Sequence, residues 1–250
     1  MMTLHVIGTG SSGNCYVLRA ETGQTLLLDA GVPIRQIVKG AGGLQGLQGC
    51  LVTHEHLDHA KAIKELANRG IDVYASKGTF DAVKGVDTPL NRFKVVGSKT
   101  AITIGEFTIL PFDTQHDAKE PLGFIIRHDP TGENTLYATD TYYIKYTFPG
   151  IHYWVVECNF IDDIVQRQHE NGTISETLRG RLTKSHMNLR RLKSTLQAND
   201  LSRTRKIVLV HLSDGRSDEV RMVEEIHKTT GVETVAATNG DVIQLAQTPF

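Results

Sequence analysis

Residues Thr53-His54-Glu55-His56-Leu57-Asp58-His59 bring three imidazoles and the Asp58 carboxylate into six consecutive positions, directly after the apolar run Cys50–Val52. Imidazole and carboxylate together suit zinc, manganese or iron. Side chains two apart at the extended end of a loop converge on one ion, while Asp58 and His59, entering the following helix, point to a second. Without a metal, burying adjacent imidazoles beside a carboxylate would carry a large desolvation cost. Three more ligand-type residues follow apolar runs in the same manner: His116 after Phe107–Leu110, Asp140 after Thr135–Thr139, and His211 after Lys206–Val210. Strand ends are where open sheets present functional groups. The isolated His5, His128, His152, His169 and His227 read as surface or satisfied core residues. Asp29, in Leu28-Asp29-Ala30-Gly31, reads as a residue that orients ligands or holds their loop from behind.

These side chains must be positioned by a strand-rich scaffold. Short β-branched runs recur at Leu4–Ile7, Cys15–Leu18, Thr25–Leu28, Cys50–Thr53, Ile71–Tyr74, Phe107–Leu110, Phe124–Ile126, Thr135–Thr139, Trp154–Glu157, Lys206–Val210 and Thr234–Ala236. Helical periodicity is interleaved at Ala60–Arg69, Met187–Ala198 and Asp218–Thr229, the last capped by Ser217. Turn signals at Glu21-Thr22-Gly23-Gln24 and Asn239-Gly240 predict hairpins, and with them much antiparallel pairing. The expectation is a layered α/β sandwich in a single domain over residues 1–250.

Gly8-Thr9-Gly10-Ser11-Ser12-Gly13 matches a dinucleotide-binding fingerprint, and Asp29 lies about 20 residues further on, at the fingerprint's spacing. That mechanism requires a helix to begin in the glycines. Asn14-Cys15-Tyr16-Val17-Leu18 and the turn at Thr22-Gly23 leave room only for a strand and hairpin. Two readings stay open: a tight connection between strands, or a loop whose backbone N–H groups and Ser11, Ser12 and Asn14 side chains face a phosphate.

The chain has 250 residues, 40% apolar, with 27 Lys and Arg against 28 Asp and Glu. A net charge of −1 excludes a uniformly basic nucleic-acid coat, so a polyanion would have to meet a local patch. Cys15, Cys50 and Cys158 are too few and too scattered for a disulfide framework or a Cys-x-x-Cys metal site, which points to a reducing compartment. No stretch reads as a signal peptide or membrane span, so a cytoplasmic protein is expected.

The set His54-x-His56-x-Asp58-His59 with His116, Asp140 and His211 in that order resembles the metallo-β-lactamase superfamily, and the likeness covers essentially the whole chain. Within the superfamily, Gly10-Ser11-Ser12-Gly13-Asn14, Glu157-Cys158-Asn159, Ser185-His186-Met187 and His211-Leu212-Ser213 resemble its YycJ/WalJ-like branch of phosphodiesterases and exonucleases acting on DNA. The resemblance implies a four-layer αββα sandwich with mixed, largely antiparallel sheets and a dinuclear site at one edge. It also implies that His54, His56 and His116 hold one ion, that Asp58, His59 and His211 hold the other, and that Asp140 bridges both. Residues 160–175 and 214–217 depart from the branch.

Two divalent ions, zinc or manganese, at such a site would lower the pKa of a shared water to near 7 and hold the anionic oxygens of the transition state. Asp58 is the candidate for binding or orienting the resulting hydroxide. His186, just before an amphipathic helix, is the candidate that contacts a phosphate and protonates the leaving oxygen, with helix capping as its bland alternative. Residues 179–206 carry Arg179, Arg181, Lys184, Arg190, Arg191, Lys193, Arg203, Arg205 and Lys206 against the single acid Asp200. This block reads either as a DNA-binding surface or as a solvated helix face, and Arg181 alone could clamp one phosphodiester. Tyr142-Tyr143 and Phe148-Pro149-Gly150 read as packing, an interface or a base-stacking wall, and a homodimer is left open. The functional expectation is an exonuclease-like DNA hydrolase. The alternatives are a cyclic-nucleotide phosphodiesterase and a metal-binding regulatory protein without turnover.

Overall fold

Burial alternates along the first strand, where Met2, Leu4 and Val6 are buried and Thr3, His5 and Ile7 are half-exposed, the mark of a strand with one face on a core. The computed structural model describes residues 2–83 and 91–246. In chain order the elements are β1 (Met2–Gly8), β2 (Cys15–Arg19), β3 (Thr25–Leu28), α1 (Ile34–Gly40), β4 (Leu47–Leu51), α2 (Leu57–Ala60), α3 (Ile63–Asn68), β5 (Val73–Ala75), α4 (Lys77–Ala82) and β6 (Phe93–Val95). There follow β7 (Ile102–Ile104), β8 (Phe107–Asp113), β9 (Leu122–His128), β10 (Glu133–Ala138), β11 (Tyr153–Glu157), α5 (Asp162–Glu170), α6 (Glu176–Ser185), α7 (Leu189–Gln197), β12 (Lys206–Val210), α8 (Glu219–Thr230), β13 (Glu233–Ala236) and β14 (Val242–Leu245).

The strands form two seven-stranded sheets, ordered β14-β1-β2-β3-β4-β5-β6 and β13-β12-β11-β10-β9-β8-β7. Leu4, Leu18, Leu26 and Leu28 of the first meet Ile109, Phe124, Val155 and Val208 of the second in a core between them. Ile37 of α1 and Ile63 and Leu66 of α3 cover the outer face of the first sheet with Val17, Leu27 and Val73. Leu192 and Leu196 of α7 and Met222 and Ile226 of α8 cover the second over Leu136, Trp154 and Ile207. The expected αββα layering is therefore present.

The sheets are mixed, but antiparallel pairing does not predominate. β14, β1, β2 and β3 pair antiparallel, as do β7 through β10, whereas β3 through β6 and β10 through β13 run parallel. Each half is a meander followed by parallel strands, which require crossover connections, all of them helical except the one from β10 to β11. The central parallel strands β11 and β12 are buried along their whole length.

Several sequence expectations shift. The Asn239-Gly240 turn is no hairpin: it carries the chain from β13 in one sheet to β14 in the other, held by Asn239 accepting from Thr9 N (2.9 Å) and by Gly240 N donating to Val6 O (2.8 Å). The helix expected over Ala60–Arg69 starts earlier, at Leu57, and breaks before Ile63, because the Ala62 N–H bonds Ala30 O (2.9 Å) instead of continuing the helix. Asp218, not Ser217, caps α8, accepting from Arg221 N at 3.0 Å. The loop Thr9–Asn14 joins β1 to β2 without a helix, which disposes of the dinucleotide fingerprint.

Candidate metal centre

The site lies where the C-terminal ends of strands from both sheets meet. Three residues there take left-handed backbone conformations although none is glycine: Asp29 after β3 (φ 56°), Asp140 after β10 (φ 50°) and His211 after β12 (φ 55°). Such conformations cost about 1–3 kcal/mol each and persist only where neighbours over-determine them. The neighbours are visible at His211, whose N–H bonds Thr9 Oγ1 (2.9 Å) and whose carbonyl accepts from Asn159 Nδ2 (2.9 Å).

Gly31 explains how the loop Thr53–His59 can lie so close to the Asp29 loop. A Cβ on Gly31 would sit 1.6 Å from the Asp58 carbonyl oxygen, so only glycine fits beneath it. The loop is then tied down by Asn14 N to Asp58 O (2.7 Å) and Ala30 N to His59 O (2.7 Å).

Within this frame His54, His56, His116 and Asp140 offer ligand atoms that all lie within 4.8 Å of one another. His54 Nε2 faces His56 Nδ1 at 3.0 Å, and His116 Nε2 faces the same nitrogen at 3.3 Å. The Asp140 carboxylate closes the group at 3.8 Å from His54 and 3.5 Å from His116. His116 donates its other nitrogen to Ser185 O (2.8 Å), which fixes the tautomer so that Nε2 carries the lone pair. Burial, helped by His59, holds His54 well below the usual histidine range, and burial likewise lowers His116 against the pull of Asp140. Imidazole nitrogens converging on a buried carboxylate are a cation-binding donor set, so the residues fit a divalent metal.

A second group is Asp58, His59 and Asp140, and a third is Asp140, Glu157, His186 and His211. His59 Nε2 is 3.4 Å from Asp140 and 3.6 Å from Asp58. His211 Nδ1 lies 2.5 Å from Asp140 and 3.2 Å from Glu157, so His211 turns toward Glu157 and His186, with its ring 6.0 Å from that of His59. Asp140 thus belongs to all three groups. Burial opposes its charge, but His211 and His59 outweigh that and keep its carboxyl well below the usual range. Burial would lower His211 too, yet Asp140 and Glu157 push it up to about 10.

Behind these residues stand two fully buried carboxylates. Asp29 accepts from His59 Nδ1 (2.9 Å), Thr53 N (2.8 Å) and the Tyr137 hydroxyl (2.6 Å). Glu157, at the end of β11, accepts from His186 Nδ1 (2.6 Å), Thr141 N (3.0 Å) and Met187 N (3.2 Å). Burial opposes the charge on His186, but the Glu157 carboxylate outweighs it and raises the imidazole above its usual range. Sequence reasoning passed over Glu157 as a site residue. Its signal was present, since it ends the apolar run Trp154–Val156 just as Asp140 and His211 follow theirs.

The remaining sequence candidates divide. Asn14 is buried and sets its amide 3.1 Å from His59 Nε2, while Ser11 and Ser12 are exposed on the same loop. Arg181 is exposed and pairs with Asp117 (3.7 Å), which is itself 3.2 Å from His116 Nε2. The basic block is largely met by acids from elsewhere in the chain: Arg179 by Glu176, Arg190 by Asp162, Lys193 by Glu225, Arg205 by Glu133 and Lys206 by Glu233. A continuous phosphate-binding stripe is therefore not what this segment presents. His5, His128, His152, His169 and His227 stand outside the three groups.

The beta-lactamase superfamily domain profile matches residues 24–212. The chain belongs to that family. Among curated relatives it is 28% identical over 225 residues to the exodeoxyribonuclease WalJ of Streptococcus pneumoniae, covering 83% of this chain and 80% of that one. It is 31% identical over 159 residues to the exodeoxyribonuclease YycJ of Bacillus anthracis, covering 60% and 59% of the two chains. Among solved structures, the metallo-β-lactamase fold protein YhfI of Bacillus subtilis superposes with a TM-score of 0.75 at 19% identity, over 96% of this chain and 98% of that one. The metallo-β-lactamase sandwich read from the motif set is thus the fold of this family member.

Proposed function

We propose that this protein is a metal-dependent phosphodiester hydrolase that degrades DNA, exonuclease-like in its action. The observation that carries the reading is the convergence of three imidazoles on Asp140, with a second imidazole and carboxylate set sharing the same carboxylate. The relatives named exodeoxyribonucleases support the choice of DNA.

His54, His56 and His116 would hold one divalent ion, and Asp58, His59 and His211 a second, with Asp140 common to both; zinc or manganese suits these donors. Bound ions at that spot would supply an activated water and charge neutralisation for a phosphate. Asp58, about a quarter exposed, sits at the mouth of the site, where its carboxylate can orient the attacking water. His186 donates Nδ1–H to Glu157, which leaves Nε2 as the atom offered to a leaving oxygen. Its ring stands 5.5 Å from that of His116 and 5.3 Å from that of His211, within reach of the same substrate. Asp29 and Glu157 keep the rings of His59 and His186 from rotating, which preserves the geometry between turnovers.

All three cysteines are free and buried, and among the described residues no helix is long and apolar enough to cross a membrane. The first supports a reducing compartment, and we place the activity in the cytoplasm. The test is a turnover assay with protein loaded with manganese or zinc, offered linear DNA and a panel of cyclic nucleotides, with Asp140→Asn as blank. Metal-dependent loss of DNA is the expected result. Hydrolysis of a cyclic nucleotide with DNA left intact would replace this reading by a small-molecule phosphodiesterase.

A further inference from the structure

We propose that the cleft between residues 143–147 and α7, extending to the two residues after it, is a subsite for the unpaired strand of the DNA substrate, on the side of the scissile phosphate. This rests on the nuclease reading above and names what that site must also hold. The cleft has a volume of about 280 Å³ and is lined by Tyr143, Lys145, Tyr146, Arg190 and Arg191. That is close to the lower bound of about 300 Å³ for small-ligand sites, room for little more than one nucleotide.

Both walls are bolted to the metal centre. Tyr142 follows Asp140 by two residues and donates its N–H to Gln115 O (3.0 Å), beside His116. Thr141 donates its N–H to Glu157 (3.0 Å) and its hydroxyl to Tyr143 O (2.9 Å). On the other wall Arg191 donates to Thr183 O (2.6 Å), two residues from the Ser185 carbonyl that holds His116, and lies 5.5 Å over the Tyr142 ring. The cleft is therefore built on segments that also carry the metal ligands His116 and Asp140 or fix their orientation.

Its chemistry is that of a single-strand site. Tyr143 is a large apolar side chain left 51% exposed, and an unpaired base offers the matching π-face. Tyr146 is held at the back by Asp113 (2.7 Å) and by the Phe112 and Phe148 rings, with the ammonium groups of Lys145 and Lys99 5.1 and 5.6 Å from its centroid. The first turn of α7 carries Arg190 and Arg191 and no acidic residue, which favours an anion there. Lys145 and Arg190 do have partners, Asp113 at 3.4 Å and Asp162 at 3.6 Å, but all four groups are exposed. Such pairs contribute little and exchange readily for a phosphate. The structure thus gives a local patch for a polyanion on a chain whose overall charge is near zero and whose basic block is elsewhere largely paired with acids.

The experiment compares KM for a single-stranded oligonucleotide and for a dinucleotide, using metal-loaded wild type, Tyr143→Ala, Tyr143→Phe and the double variant Lys145→Ala/Arg190→Ala. Wild type should bind the longer substrate more tightly. Tyr143→Ala should raise KM for it by about tenfold, Tyr143→Phe should restore it, and the lost stacking accounts for the difference. The double variant should flatten the dependence of log KM on log salt by roughly 0.7 for each phosphate contact removed. Unchanged KM and salt slope in Tyr143→Ala and the double variant, with DNA still degraded, would overturn the subsite and leave the nuclease reading standing. Absence of DNA turnover in metal-loaded wild type would overturn both.

Discussion

Asp29 and Glu157 perform the same task in the two halves of the molecule, by different routes. Each is a fully buried carboxylate at a strand end. Each takes the N–H of a threonine beyond the parallel neighbour strand, Thr53 or Thr141, and the Nδ1–H of a histidine. Asp29 serves His59, and that histidine and Thr53 lie within one seven-residue loop. Glu157 serves the N–H of Thr141, the adjacent His186 and Met187, and His211, drawn from three separate segments. His59 is thus positioned mainly by its own local loop, with the Tyr137 hydroxyl reaching Asp29 across the core, whereas the distributed Glu157 partners meet only once three distant segments are assembled. The two halves share a meander followed by parallel crossovers, so the difference lies in the site and not in the scaffold.

The sharpest break of this comparison is Asp140→Asn, since Asp140 touches both sides. Hydrolysis should fall by more than about 100-fold, the upper range for losing a residue behind a ligand, with metal content reduced and circular dichroism unchanged. Full turnover with both ions retained would remove the shared-carboxylate reading. Glu157→Gln comes next: it withdraws the acceptor for two histidines, and turnover should drop about 10–100-fold while more metal is kept than in Asp140→Asn. Asp29→Asn should reverse the emphasis. Its loss falls on metal affinity through His59, toward about tenfold, and equilibrium dialysis would separate the two variants. If both lower turnover and affinity in the same ratio, the local and distributed carboxylates are not functionally different. The smallest effect is expected at Asp218→Ala, which removes the cap of α8 on the distributed half. It should cost about 1 kcal/mol in denaturant unfolding and leave turnover unaltered.

The same contrast decides what could be read from sequence. His54, His56, Asp58 and His59 announce themselves because their spacing alone makes the chemistry. His116, Asp140 and His211 were legible through a weaker rule, a ligand-type residue after an apolar run. Glu157 satisfies that rule yet was passed over, because a lone glutamate at a strand end is ordinary until His186 arrives from the end of α6 to meet it. The layering was legible from alternating strands and helices, but the pairing balance was not. Turn chemistry at Asn239-Gly240 is local, and no local signal tells whether the next strand joins the same sheet or the opposite one. The basic run 179–206 misled for a similar reason: its neutralising acids Glu133, Asp162, Glu225 and Glu233 are far away along the chain or on other elements.

The placement of β14 against β1 has a consequence for how the fold is reached. Met2 pairs with Leu245 and His5 with Val242, and the turn that delivers β14 bonds Thr9 across 230 residues. Closing so long a loop must precede any reward from that pairing, so the step is expected to be slow relative to the meanders. Until it happens, β1 presents an open edge of unpaired backbone groups beside the site loop Thr9–Asn14, the kind of edge on which strands of other chains can add. The first sheet is therefore vulnerable during assembly at the place where its own chain closes it last.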